Sequence, residues 1–264
     1  MYGQELKYSR LCNWKGKVVF AIFGETYPGY LMRFFVNRRE FTKYTNKKQN
    51  LKILEVGSSN GALTFWLSRN NNYFVVGLEY DKTLVLNCQN IYTKINRVNL
   101  YFVCADGSEK IPLKSSFDIV FSTHVLEHIS NDQSVLINIF NNLRPKGILI
   151  LQVPYGDPYK SPSKEAIANG HVREGYTESD LRLKLENAGF QIISVTGSIG
   201  RIGRFAYWLA RGVEKVRIIV NFPILILPIT LALIYLEQVA AFLRSREPSF
   251  KHWPLIVARR PCES

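Results

Sequence analysis

The stretch that most constrains this chain is Leu51–Gly61, Leu-Lys-Ile-Leu-Glu-Val-Gly-Ser-Ser-Asn-Gly. Its apolar run of Ile53, Leu54 and Val56 predicts a buried parallel strand. Gly57 and Gly61 follow, and then Ala62–Ser68 reads as a helix. Strand, glycine turn and helix in that order bring the backbone close to a ligand beside a helix N-terminus. The two glycines lack the G-x-G-x-x-G spacing of the dinucleotide fingerprint. Glu55 places a carboxylate in the last turn of a strand that should be buried. Such a group needs a partner, and a cationic or N–H-donating ligand would serve.

The alternation continues along the chain. Tyr73–Glu79 predicts a second strand, and Glu79 lies about 20 residues past the turn, where a carboxylate can accept both hydroxyls of a ribose. Lys82–Arg97 predicts a helix, Asn99–Cys104 a third strand and Phe117–Ser122 a fourth. Asn131–Leu143 predicts a helix ended by Arg144-Pro145-Lys146-Gly147. Gly147–Val153 and Gln191–Val195 predict the fifth and sixth strands. Asp106 falls at the carboxyl end of the third strand, where ligands of open α/β sheets bind, and could accept from an adenine amino group. Thr177 with Asp180 is a capping pair for the helix before the sixth strand.

A chain of 264 residues, 47% of them apolar, can hold one α/β domain with an added element. The formal net charge of +13 favours an anionic partner: nucleic acid, acidic lipid or a phosphorylated substrate. Cys12, Cys88, Cys104 and Cys262 are scattered with no C-x-x-C pair, which argues against a zinc or disulfide framework and favours a reduced cytoplasm. Cys104 is expected to pack in its strand. The apolar run Val18–Phe23 is too short for a secretory signal.

Four segments are expected: a helical lid or substrate segment at 1–50, a core at 51–197, an apolar insertion at 198–250, and a last strand with tail at 251–264. In the first, Leu31, Phe34 and Phe35 give a basic helix an apolar face after Pro28-Gly29. In the insertion, Ile218–Leu236 is uncharged and flanked by Arg201, Arg204, Arg211, Lys215 and Arg217 before, and by Arg244, Arg246 and Lys251 after. It is just long enough to cross a bilayer as a helix. Trp253–Arg259 must rejoin the sheet, however, so a shallow or re-entrant hairpin bent near Pro223 and Pro228 fits better. Phe222, Leu225, Leu227, Leu231 and Tyr235 would then meet lipid. The alternative is a buried hairpin covering the substrate site or forming a dimer contact.

Glu-Val-Gly-Ser-Ser-Asn-Gly resembles motif I of the class I S-adenosylmethionine (SAM) dependent methyltransferases. Val-Gly-Leu-Glu, Ala-Asp-Gly, Ser-Ser-Phe-Asp-Ile-Val-Phe-Ser, Val-Leu-Glu-His-Ile and Leu-Arg-Pro-Lys-Gly-Ile-Leu follow in the order of the small-molecule, type 11 group. The resemblance covers roughly Leu51 to Val195. It implies a Rossmann-like seven-stranded sheet with helices on both faces, and SAM as cofactor. It also implies that Glu55, Gly57 and Gly61 hold the methionine end, with Ser58 and Asn60 in the same turn. Glu79, followed by Tyr80, would take the ribose, and Asp106 with Gly107 the adenine.

Methyl transfer from a sulfonium mainly requires donor and acceptor in line, although a hydroxyl or carboxyl acceptor also needs a base. His124, His128 and His171 are the candidates. His124, Glu127 and His128 are spaced to share a helix face after the fourth strand. His128 could instead line the cofactor pocket, and the Glu127-His128 pair resembles the Glu-His of quinone-biosynthesis O-methyltransferases, where a divalent ion binds nearby, although His124 stands where those carry an acid, so no metal ligand set is assigned. His171 with Arg173 could contact an anionic acceptor or pin a loop. Ser122-Thr123-His124-Val125 stands where enzymes that methylate nucleobase amines carry Asn/Asp-Pro-Pro-Tyr. The expectation is therefore O-methylation of a small or lipid-linked acceptor by a cytoplasmic protein attached through residues 204–246 to the inner membrane surface. A nucleic-acid methyltransferase and a SAM-binding scaffold without turnover are the alternatives.

Overall fold

The computed structural model describes residues 28–45, 50–92, 97–109, 111, 113, 116–205, 208, 232–233, 235–237, 239–240, 249, 251 and 254–262. Among these, seven strands form one sheet: β1 (Lys52–Val56), β2 (Phe74–Glu79), β3 (Leu100–Cys104), β4 (Phe117–Thr123), β5 (Leu143–Gln152), β6 (Gln191–Gly197) and β7 (Pro254–Arg259). Their order is β3-β2-β1-β4-β5-β7-β6. The pairs from β3 to β5 are parallel, and β7 runs antiparallel between β5 and β6. The helices are α1 (Pro28–Thr45), α2 (Ala62–Ser68), α3 (Lys82–Tyr92), α4 (Asp132–Asn142), α5 (Lys164–Ala168) and α6 (Glu178–Asn187).

Alternation along the strands splits the core in two. Leu54, Val56, Val76, Leu78, Val120, Leu149 and Leu151 face Val135, Leu136 and Ile139 of α4 and Leu181 and Leu185 of α6. Ile53, Val75, Ile119, Phe121, Ile148 and Ile150 face Met32, Val36 and Phe41 of α1 and Leu63 and Leu67 of α2. Both faces are covered, which is why the strands read as continuous apolar runs rather than alternating ones. The Rossmann-like seven-stranded sheet expected from the sequence is the one observed.

Several local readings need correction. The apolar face of α1 is not centred on Phe34 and Phe35, which are only partly buried. Met32, Val36 and Phe41 are buried instead, together with Asn37 and Glu40. Phe41 anchors that face among the rings of Trp66, Tyr73 and Phe121, at centroid distances of 6.0, 5.8 and 6.0 Å. Asn37 is tolerated there because its amide donates to Thr123 Oγ1 (3.0 Å) and accepts from Gln152 Nε2 (2.5 Å).

Arg144–Gly147 does not form a separate turn. It belongs to β5, with Lys146 at positive φ, Lys146 N–H donating to the Arg260 carbonyl and Arg260 N–H to the Gly147 carbonyl. The Arg260 guanidinium then satisfies the carbonyls of Phe140 and Leu143 at the end of α4. Cys104 is exposed rather than packed, because β3 is an edge strand. Thr177 does cap α6, accepting from Asp180 N.

β7 joins the sheet between β5 and β6, as expected of the last strand. The base of the insertion is described on both limbs. Glu237, 1% exposed, accepts from Gly200 N (2.6 Å) and Gly203 N (2.8 Å) at the start of the short helical turn 201–205. Ile202, Phe205, Trp208, Tyr235, Leu236 and Val239 are exposed beside it. Among the described residues no helix is long and apolar enough to cross a membrane. Most of Ile218–Leu236, including Phe222, Leu225, Leu227 and Leu231, lies outside them.

One buried ion cluster ties the second half of the domain together. Asp132 at the start of α4 accepts from Arg173 Nη1, from the Tyr176 hydroxyl (2.8 Å) and from Lys184 Nζ of α6 (3.1 Å). Arg173 also donates to the carbonyls of Ile129 and Ser130. Removing the carboxylate leaves a buried guanidinium and ammonium uncompensated. Asp132→Ala should therefore lower the unfolding free energy by about 3–5 kcal/mol in urea denaturation. Asp132→Leu, equally unable to accept, should be no better, whereas an unchanged midpoint in either variant would show the cluster to be energetically idle.

Candidate active site

The strand order reverses between β1 and β4, and the first three sheet connections open a crevice at the carboxyl ends of these strands. Open α/β sheets bind ligands at such a switch point. Parallel register aligns the ends: Val56 lies opposite both Leu78 and Ser122, and Glu79 opposite Cys104. The structure thus brings the β1 turn, Glu79, the Asp106 loop and the residues after Ser122 to one sheet edge.

The turn after β1 depends on glycine at two places. Gly57 (φ 76°) passes so close to Val125 that a Cβ there would lie 2.2 Å from Val125 Cγ2. Gly61 (φ 74°) forms the N-cap of α2, and a Cβ there would lie 2.6 Å from Phe102 Cζ. Both need the left-handed conformation and the absent side chain. Gly57 N and Ser58 N donate to the Leu78 carbonyl, while Tyr92 Oη and Cys88 Sγ of α3 hold the carbonyls of Asn60 and Ser59. Ser58 is buried, and Asn60 accepts from Ala62 N. Ser58 Oγ and Ser122 Oγ are buried polar atoms without a hydrogen-bond partner.

The acidic residues are fixed in place. Glu79 accepts from Ser59 N (2.9 Å) and Asp81 N (3.0 Å), so its carboxylate is aimed by the turn it faces. Tyr80 beside it is 74% exposed. Asp106 accepts from Ser108 N and Oγ at 2.8 and 2.7 Å. Asn138 of α4 donates to the carbonyls of Gly107 and Glu109, bracing that loop. Glu55 has a protein partner: the Thr64 hydroxyl of α2 donates to it. Burial pushes the Glu55 carboxyl up from 4.5 to about 8, with the Thr64 hydrogen bonds opposing the rise and the Glu79 charge adding to it. Thr64, Val125 and Asn138 carry no signal in the sequence, since each reads as an ordinary helix or loop position.

The histidines are arranged differently from the expected shared helix face. Leu126–His128 is a single 3-10 turn, and His124 precedes it with φ 56°, a left-handed conformation costly for a side chain with a Cβ. His124 Nδ1 lies 3.0 Å from Glu127 Oε1, whereas His128 Nδ1 turns away to the Gly170 carbonyl at 3.2 Å. His128 instead meets His171 edge to face, with ring centroids 4.7 Å apart. The loop carrying His171 is docked by Val172 N to the Glu127 carbonyl.

Burial holds His124 below its ordinary value, helped by the Arg33 charge and opposed by Glu127. Burial likewise lowers His171. Burial acts to raise Glu127, but the hydrogen bond from His124 and the electrostatic influence of the neighbouring imidazoles outweigh it, and Glu127 stays a carboxylate. A neutral His124 donates through Nδ1 to Glu127, which leaves Nε2 with a lone pair.

The raised Glu55 sets a pH dependence. Between about 4.5 and about 8 the folded protein holds a proton on Glu55 that the unfolded chain has lost. The stability this group contributes is therefore present at low pH and is lost as pH rises through the folded-state value. The ligand-free protein should melt at progressively lower temperature from pH 5 to pH 8, and Glu55→Gln should flatten that slope. Equal slopes in wild type and Glu55→Gln would show Glu55 to be ionised throughout.

Residues 54–151 match the Methyltransf_11 family model, described as a methyltransferase domain. The tRNA U34 carboxymethyltransferase of Ruthia magnifica subsp. Calyptogena magnifica is 29% identical over 174 residues, covering 62% of this chain and 54% of that protein. Phosphoethanolamine N-methyltransferase 1 of Triticum aestivum is 28% identical over 173 residues, 64% of this chain and 34% of that protein. The chain thus spans about half of the first relative and about a third of the second. Among solved structures, phosphoethanolamine N-methyltransferase 2 of Haemonchus contortus in complex with SAM superposes with TM-score 0.62 at 16% identity, covering 86% of this chain and 52% of that one. The [4+2]-cyclase SpnF superposes with TM-score 0.59 at 18% identity, over 88% and 82%. These likenesses are of fold. With the glycine turn, the strand-end acids and the matched segment in agreement, residues 54–151 resemble a methyltransferase domain and the chain has the fold of the class I SAM-dependent methyltransferases.

Proposed function

We propose that this protein transfers a methyl group from SAM to an oxygen of a small or lipid-linked acceptor at a membrane surface. The observation that carries the reading is the convergence of the Gly57–Gly61 turn, Glu79 and Asp106 on one sheet edge at the switch point. Bound SAM supplies an activated methyl group, so the protein needs mainly to hold two reactants in line. In this reading Glu55 and the turn face the methionine end. Ser58 Oγ and Ser122 Oγ offer buried polar atoms to the cofactor. Glu79 receives the ribose hydroxyls, with Tyr80 beside it, and Asp106–Gly107 faces the adenine.

The oxygen preference is supported by the histidines. A hydroxyl must lose a proton as it is methylated, and His124, oriented by Glu127, presents a neutral imidazole able to accept it. One named relative is a phosphoethanolamine N-methyltransferase, and the tRNA enzyme keeps a nucleic-acid acceptor as the second reading, in line with the net charge of +13. Incubating the protein with methyl-labelled SAM and membrane, small-molecule and tRNA fractions separates the two. Label is expected in the membrane or small-molecule fraction, and label in tRNA would overturn the acceptor reading. Glu79→Ala, losing two hydrogen bonds of about 1 kcal/mol each, should weaken SAM binding roughly 30-fold by calorimetry. Unchanged affinity would remove Glu79 from the ribose site.

Membrane attachment is supported by the exposed apolar base of the insertion. Phe205 and Trp208 stack at 5.9 Å and are 53% and 67% exposed, next to Arg201 and Arg204. Aromatic rings flanked by basic side chains suit an anionic interface, at about 1 kcal/mol per Lys or Arg near the surface. Deleting 204–246 would also remove Glu237 and its two backbone hydrogen bonds, so point changes test the idea more cleanly. Phe205→Ser with Trp208→Ser should reduce sedimentation with phosphatidylserine vesicles at least several-fold while SAM affinity is kept. Wild type that ignores such vesicles would leave the insertion as a lid or dimer contact.

A further inference from the structure

The register of the sheet fixes the edge from which the insertion leaves. Thr123 at the end of β4 pairs with Gln152, Gln152 with Leu255, and Leu255 with Thr196. This row crosses four strands at the carboxyl ends of the parallel set. β7 is antiparallel, so its first residue, Pro254, meets Gly197 at the end of β6 on the same edge. The chain therefore departs after Gly197 and returns before Pro254 on the edge that carries the crevice. Three strand spacings put Thr196 about 14 Å from Thr123, the residue before His124.

The base of the insertion is held in place there. Arg39 Nη2 donates to the Ser198 carbonyl, and Ile199 is buried in the core layer shared with α1. Glu237 fastens the returning limb to Gly200 N and Gly203 N. Phe205 and Trp208 on the outgoing limb, and Tyr235, Leu236 and Val239 on the returning one, are exposed. Arg201 and Arg204 are exposed beside them. Nearer the crevice, Lys251 lies over the ring of Tyr155, just past β5, at 5.9 Å.

We propose, building on the membrane reading above, that the crevice edge faces the bilayer and that the acceptor is an anionic membrane lipid methylated in place on its head group. Aromatic side chains at an interface settle about 5–10 Å into the boundary between head groups and acyl chains. With the rings and the crevice on one edge, about 14 Å apart across the strands, the crevice opens at the level of the head groups. A lipid held by its chains brings its head group to that mouth without leaving the bilayer. Arg201, Arg204 and Lys251 favour a head group that carries a phosphate or carboxylate. Its hydroxyl oxygen bonds to the methyl carbon as the carbon–sulfur bond of the sulfonium breaks. The hydroxyl proton passes to His124, and S-adenosylhomocysteine departs.

The test uses the full chain with vesicles of phosphatidylcholine and phosphatidylserine containing a head-group spin-labelled lipid. One fluorophore is placed beside the crevice at Val172→Cys, a half-exposed position, with Cys12, Cys104 and Cys262 changed to serine and the buried Cys88 kept. Another is placed at the opposite edge on native Cys262, past Arg259, with only Cys12 and Cys104 changed. Quenching at Val172→Cys should exceed that at Cys262 at least several-fold. SAM affinity checks folding, and Ile167→Cys on the same loop takes over if Val172→Cys binds SAM poorly. Equal quenching, or stronger quenching at Cys262, would overturn the orientation while sedimentation with the vesicles still upheld attachment. Protein that does not sediment would remove both. In parallel, methyl-labelled SAM is supplied with vesicles of total membrane lipid from the source cells. Label should enter an anionic lipid in the organic extract and fall several-fold in Phe205→Ser with Trp208→Ser. Label found only in water-soluble product of a vesicle-bound protein would refute the lipid acceptor and leave methyl transfer standing. Label in no product would refute both.

Discussion

The pairing of β1 with β4 is the constraint on which this site depends. Ile53 lies opposite Ile119 and Val56 opposite Ser122, in the middle of a sheet buried on both faces. That pairing reverses the strand order and opens the crevice. It also forces the turn after β1 against Val125, the residue that follows the strained His124. Gly57 has no room for a side chain because the two chain reversals share one volume. The glycine turn and the histidine turn are therefore built as one packed unit, and neither could shift without displacing the other.

Around that unit the protein uses partly buried polar groups as fixed struts. Glu79 is aimed by two backbone N–H groups, Asp106 by Ser108, and the Gly107 loop by Asn138. Asn37 links α1 to the ends of β4 and β5. Each strut is a long-range or turn contact whose loss would leave a partly buried donor or acceptor unsatisfied, which makes the geometry stiff. The exposed rings at the base of the insertion stand apart from these struts, on a segment whose two limbs are tied by the buried carboxylate of Glu237 to Gly200 N and Gly203 N.

The three histidines show how proximity and spacing differ. A helical reading placed His124, Glu127 and His128 on one face. The observed turn is too short to be a helix, so His124 and His128 diverge, and His128 is met by His171 from a loop 43 residues along the chain. The ring contact depends on the docking of Val172 to Glu127. No periodicity in the sequence encodes that contact.

The sequence by itself determined the α/β class, the order of the first six strands, the glycine turn, the strand-end acids and the return of a seventh strand. These follow from local rules: apolar runs long enough for buried strands, glycine at left-handed positions, and the capping of α6 by Thr177. Tertiary structure alone decided which face of α1 is buried, that Arg144–Gly147 extends β5, that Cys104 is exposed, and that Glu55 is answered by Thr64. Each of these depends on what another segment presents: an aromatic pocket for Phe41, the Arg260 backbone for β5, the edge position of β3, and a hydroxyl on α2. Local pattern specifies an element and its period, whereas the partner of a buried polar atom is chosen only when distant segments meet.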